Sequence, residues 1–169
     1  YEIDIDFSGS NPGKGHVHFP GYPQPYRGEL EFTPGTWHRL HVKAVKDTIE
    51  VWLDGKKGIR FTDDRFRYGH ISLEGERSGV RYRNLRVLSL DPQVPSGPRS
   101  PWRLLFDGKT MTGWRTVKGS ADVLQGSMSL SGDGRASTVR WIGESITTGA
   151  LDVNVWRRGT SPQARYDFI

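Results

Sequence analysis

Apolar and polar residues alternate along most of this chain, and a sustained period of two fits β-strands and little else. Tyr1-Glu2-Ile3-Asp4-Ile5-Asp6-Phe7 puts apolar residues on one face and three carboxylates on the other. Leu40 to Val45 and Thr48 to Leu53 read as two strands of a hairpin, separated by Lys46-Asp47. Asp54-Gly55 marks the next turn, because glycine reaches positive φ without a steric penalty. Ile59-Arg60-Phe61, His70 to Leu73 and Val80 to Val87 continue the series, as do Ser127 to Leu130, Ser137 to Ile142 and Ala150 to Trp156. No stripe with a 3.6-residue period interrupts them. Short strands at this spacing predict an all-β, antiparallel two-sheet sandwich. Its core is expected to hold Leu40, Val42, Val51, Leu53, Ile71, Leu73, Leu85, Val87, Val153 and Val155.

Composition narrows the function classes. The 169 residues include 21 Gly and 10 Pro, a turn-rich profile that suits one domain or two incomplete ones. Apolar runs fall short of the roughly 20 residues of a membrane-spanning helix. The net charge of +5 comes from 24 basic residues scattered among 19 acidic ones. That scatter argues against a nucleic-acid partner, which needs a concentrated basic stripe. The absence of cysteine excludes disulfides and thiolate chemistry and fits an extracytoplasmic protein: secreted, periplasmic or cell-surface. The N-terminus carries no basic-then-apolar leader, so secretion implies a leader removed or outside this sequence.

Two stretches break the strand pattern. Residues 91–101 carry four prolines and read as a linker. Residues 11–26 form a Pro/Gly/Tyr loop around His16-Val17-His18-Phe19.

Several of these segments resemble a known family. Pro34-Gly35-Thr36-Trp37-His38, Val51-Trp52-Leu53-Asp54-Gly55-Lys56, Gly69 to Glu74 and Val80 to Val87 are similar to the closing strands of the 3-keto-disaccharide hydrolase domain family. Trp102-Arg103-Leu104-Leu105-Phe106-Asp107-Gly108-Lys109, ending in Gly113-Trp114, resembles that family's opening motif. The resemblance implies a concanavalin A-like lectin/glucanase jelly roll directed at carbohydrate. The order is inverted: residues 1–90 correspond to the closing half and 102–169 to the opening half. The halves then belong to tandem domains, to one permuted domain, or to neighbouring chains that complete each other head to tail. Permutation requires the two chain ends to be neighbours. Both ends look like cut strands, which tips the expectation towards exchange between chains.

Three sets of residues are candidates for chemistry. His16 and His18 share a strand face and can ligate a divalent metal such as zinc, given a third ligand that the sequence does not identify. Glu2, Asp4 and Asp6, and separately Glu29 and Glu31, share faces at two-residue spacing and could supply the paired carboxylates of glycoside cleavage. The Glu-x-Asp-x-x-Glu signature of laminarinase-type glucanases is absent, and Asn154 or Val155 stands where the resembling family tends to have an acid before its tryptophan. Sugar rings dock on aromatic faces while polar groups bond their hydroxyls. Trp156, Arg157, Arg158, Tyr22, Tyr26, Asp152 and Asn154 form the expected glycan set, with Trp114 and Tyr166 also available and Trp156 as the platform. Trp52 and Trp102 are expected in the core.

The resemblance therefore implies a glycoside hydrolase or lyase acting on oxidised or ordinary glycosides. The alternative is a non-catalytic glycan-binding module, or one that self-assembles on a surface or into filaments.

Overall fold

The computed structural model describes residues 30–63, 69–75, 79–91, 102–131, 136–144 and 148–158 in full, and the strands at 2–6, 14–18, 26–27 and 164–168 through their backbone. Among the described residues every regular element is a strand. These are β1 (Glu2–Asp6), β2 (Lys14–His18), β3 (Tyr26–Arg27), β4 (Trp37–Val45), β5 (Thr48–Leu53), β6 (Lys56–Thr62), β7 (Ile71–Gly75) and β8 (Val80–Ser89). After the proline-rich segment come β9 (Trp102–Leu104), β10 (Trp114–Lys118), β11 (Ser120–Leu124), β12 (Ser127–Ser131), β13 (Ser137–Trp141), β14 (Gly149–Arg157) and β15 (Ala164–Phe168).

The strands form two antiparallel sheets. The first runs β10-β13-β7-β15-β1-β2-β3, and the second runs β11-β12-β8-β14-β4-β5-β6, with β9 paired to β8. The two sequence halves interleave. β14 lies between β8 and β4, and β15 lies between β7 and β1. Glu2 stands opposite Asp167, so the first and last strands are sheet neighbours. This pairing within one chain supplies a partner for strands that would otherwise be open edges.

All ten residues expected in the core are buried there. Each buried aliphatic side chain contributes about 1.5–3 kcal/mol relative to exposure. The hairpin from β4 to β5 turns at Lys46-Asp47 as expected, with Val45 opposite Thr48. Asp54 and Gly55 both take positive φ, 51° and 83°, the backbone of a two-residue type I′ hairpin between β5 and β6.

The segment from Leu105 to Trp114 is a structural clasp. Leu105 and Phe106 enter the core, while Asp107 Oδ1 accepts from the backbone N–H groups of Lys109 and Thr110, both at 2.8 Å. Trp114 is buried and donates Nε1–H to the Leu105 carbonyl at 2.8 Å. It therefore belongs to the core and offers no sugar platform.

β8 departs from strict alternation. Asp152 pairs with Arg86 but Asn154 pairs with Arg83, so Asn84 and Leu85 together oppose one residue of β14. Asn84 takes φ 55° in this β-bulge. The extra residue resets the phase. Leu85 and Val87 stay buried, while Arg81, Arg83 and Arg86 come to the opposite, polar face.

Candidate functional site

The polar face of the second sheet is where chemistry-bearing side chains converge. β4 contributes Trp37, Arg39 and His41 at alternate positions, as its length and period dictate. β14 contributes Asp152, Asn154 and Trp156, opposite His41, Arg39 and Trp37 respectively. β8 adds Arg86, Arg83 and Arg81 on the other side of β14. Trp52 of β5 stands opposite His41, and Trp102 of β9 lies beside Arg86.

Asp152 is the anchor. Its side chain is only 4% exposed, beneath Arg39 at 57% and Arg86 at 43%. Arg39 donates from Nε to Oδ1 at 2.8 Å and from Nη2 to Oδ2 at 2.9 Å. Arg86 donates from Nε and Nη2 to Oδ2 at 2.9 and 2.6 Å. Burial pushes the Asp152 carboxyl up, but the hydrogen bonds and charges of Arg39 and Arg86 outweigh it and hold the group below the usual carboxylate range. The Arg39 guanidinium is raised in turn, chiefly by its bond to Asp152.

His41 sits at the centre of this face. Its Nδ1 lies 3.7 Å from Asp152 Oδ1, buried and without a hydrogen-bond partner. Trp52 and Trp102 flank it edge-on, with ring centroids at 5.1 and 6.1 Å. Desolvation lowers its pKa; Asp152 opposes that shift, and the charges of Arg39 and Lys43 add to it. The ring is therefore neutral near pH 7.

Towards the far end, cations stack on the aromatic rings. The Arg83 guanidinium carbon is 3.9 Å from the Trp37 ring centroid, and that of Arg81 is 5.8 Å from Trp156. Arg81 is held by Ser127 Oγ at 3.0 Å and the Leu124 carbonyl at 2.8 Å. Asn84 Nδ2 donates to Asn154 Oδ1 at 2.8 Å.

The expected site residues are distributed unevenly. Asp152, Asn154 and Trp156 stand together on this face, with Trp156 half-buried. Arg157 does not join them. Adjacent strand residues point to opposite faces, so Arg157 turns inward and is fully buried, while Arg158 is exposed beyond the strand end. Trp52 and Trp102 were expected in the core, but both are half-buried on the polar face. Glu31 is exposed, its side chain 82% accessible and its Oε1 3.5 Å from Lys56 Nζ. Glu29 and Tyr22 lie outside the described residues, as do the side chains of Tyr26 and Tyr166.

Glu2, Asp4, Asp6, His16 and His18 belong to the first sheet, away from Asp152 and Trp156. Their backbone register pairs Glu2 with His18 and Asp4 with His16; their side chains lie outside the described residues. Among the described residues, no group of three or more His, Asp or Glu is placed to hold a metal ion. The sequence reading missed Arg39, His41, Arg83 and Arg86. The signal for the β4 pair was present as Trp37-x-Arg39-x-His41-x-Lys43, a polar row at strand spacing.

Comparison with known proteins bears on what such a face does. Among curated proteins none matches the chain significantly. A family model described as the 3-keto-alpha-glucoside-1,2-lyase-like domain matches residues 1–88, the stretch that runs from β1 through most of β8. That match covers just over half of the 169 residues, and the chain belongs to the family of 3-keto-alpha-glucoside-1,2-lyase-like domains.

Proposed function

We propose that this domain binds a saccharide across the polar face of its second sheet, with a sugar ring seated between Trp52 and Trp102 over His41. The observation that carries the reading is the central arrangement: a neutral imidazole flanked by two tryptophans, above a carboxylate locked by two arginines. Aromatic walls suit the apolar faces of a pyranose, and the guanidinium N–H groups left over from Asp152 suit its oxygens. The protein works in an extracytoplasmic setting where such glycans occur.

A catalytic reading is favoured by the state of His41. Elimination across carbons 1 and 2 of a 3-keto glucoside needs a base for the carbon-2 proton, which the neighbouring ketone acidifies. A neutral imidazole with Nδ1 turned towards Asp152 leaves Nε2 as that base. The carbon–hydrogen electron pair becomes the double bond, the bond from carbon 1 to the glycosidic oxygen breaks, and that oxygen takes the proton carried by the His41 imidazolium, which returns the ring to its neutral form. Arg39 and Arg86, both bonded to the Asp152 carboxylate that lies beside His41, are the cations assigned to stabilise negative charge developing on the ketone oxygen.

Calorimetric titration with maltose and 3-keto-maltose tests both steps. Binding is expected between about 1 mM and 1 μM, which corresponds to about 4–8 kcal/mol. Trp52→Ala should weaken it about tenfold, or 1.4 kcal/mol. His41→Ala should leave binding but abolish turnover of the keto sugar. Failure of both sugars to bind, or binding indifferent to Trp52→Ala, would overturn the site.

A further inference from the structure

The polar face carries more positive charge than its carboxylates neutralise. Across β4, β8 and β14, Arg39, Arg81, Arg83 and Arg86 face the single carboxylate of Asp152. Arg39 and Arg86 each spend two N–H donors on Asp152, out of about five that a guanidinium carries. Arg81 is tied to a hydroxyl, a carbonyl and the Gln125 amide oxygen, none of which cancels its charge. Arg83 is the least satisfied. Its Cζ lies over the Trp37 ring, 3.9 Å from the centroid, it pairs with no carboxylate among the described residues, and its Nε is buried without a hydrogen-bond partner.

A guanidinium held over an indole ring is already ordered, so engaging its N–H donors with a second group costs little further side-chain entropy. The group matching those donors is a planar or tetrahedral oxyanion, which accepts two parallel N–H bonds. The neighbouring residues suit a sugar that carries one. Trp156 stands directly opposite Trp37 across the strand pair, offering a second aromatic surface. Asn154 lies between Arg39 and Arg83 as a hydroxyl partner. Trp37 is four residues from His41 on β4, about 13 Å at about 3.3 Å per residue, so this cluster is a separate subsite from the one over His41.

We propose that the Arg83–Trp37 end of the face is a subsite for an acidic sugar, a uronate or a sulfate ester, in the saccharide that the domain binds. The proposal rests on the saccharide-binding reading above and names its substrate class.

The test is titration of the whole chain with maltotriose, sulfated maltotriose and trigalacturonate. At least one acidic trisaccharide should bind about tenfold more tightly than maltotriose at about 50 mM salt, and the gap should narrow at about 500 mM, where charges are screened within about 4 Å. Preference for trigalacturonate alone identifies a uronate subsite, and preference for the sulfated sugar alone a sulfate subsite. Arg83→Gln should erase the preference while leaving maltotriose binding within about twofold; Arg83→Lys, which keeps the charge without the fork, should fall between. Should Arg83→Gln fail to fold, the salt dependence of the wild type decides. Equal affinity for neutral and acidic sugars, or a preference indifferent to salt and to Arg83→Gln, would overturn the acidic subsite and leave saccharide binding intact. Absence of binding to all three sugars would overturn both.

Discussion

Asn84 donates to Asn154 across β8 and β14 at 2.8 Å, from a backbone held at φ 55°. The bulge this creates keeps Leu85 in the core and Arg86 on the face with Asp152. A left-handed backbone costs a side chain other than Gly, Asn or Asp about 1–2 kcal/mol. Asn84→Ala should therefore lower stability in urea by about that amount, and Asn84→Gly by less. An Asn84→Ala protein as stable as the wild type would contradict the bulge.

Removing the charge of Asp152 should destabilise the sheet. Asp152→Asn keeps the shape but gives up charge-assisted bonds worth about 1.5–3 kcal/mol each when buried. Arg39 and Arg86 are half-exposed and can rehydrate, so the net loss is expected at about 1–3 kcal/mol. Urea unfolding of the variant measures it, and wild-type stability would show that the cluster contributes nothing.

Stability should fall with acid in two windows. The folded chain lowers the pKa of Asp152, so the unfolded chain takes up that proton first. Its contribution is complete above about pH 4 and is lost as pH falls through the lower folded value. His41 is also lowered, and the same sign applies: its contribution is complete above about pH 6.5 and declines below it. Melting temperatures across pH should show both limbs. His41→Gln should flatten the upper one and Asp152→Asn the lower one.

The tryptophans should sort into two classes. Trp114 is buried with its N–H bonded to the Leu105 carbonyl, so Trp114→Ala should cost about 3–5 kcal/mol of stability. Trp156 is half-buried on the polar face, and Trp156→Ala should instead weaken saccharide binding at least about tenfold with little effect on melting. Paired melting and titration curves would separate the two.

β14 pairs with β8 and β4, and β15 with β7 and β1, and we propose on that basis that the chain is a self-contained unit. Mass photometry at micromolar concentration should find the 19.1 kDa monomer, melting cooperatively. A ladder of larger species would instead support head-to-tail completion.

Much of the fold was legible because alternation and burial are the same physical fact seen twice. Every core residue expected from the period of two is buried, and the turns at Lys46-Asp47 and Asp54-Gly55 fall where chain chemistry puts them. Exceptions arise where local pattern gives way to tertiary structure. Strict alternation would put Arg83 and Leu85 on one face, and only the bulge separates them. Trp52 and Trp102 were expected in the core, yet the sheet gives them a basic, half-open face instead. The phase of β14 pointed to Asp152, Asn154 and Trp156. Arg39 lies 113 residues from Asp152 and Arg86 lies 66 away, so their convergence depends on strand order, which no local pattern encodes.

The interleaved sheets also determine when this protein can fold. β4 and β8 have no stable common neighbour until β14 arrives, and β7 and β1 wait for β15. Pairings this distant in sequence close slowly, because the loop entropy is lost before the contacts form. Until then β4, β8, β7 and β1 keep an open edge, the condition in which edge strands pair with the wrong partner. Refolding should accordingly be slow and sensitive to concentration, with β14 as the strand whose docking commits the chain.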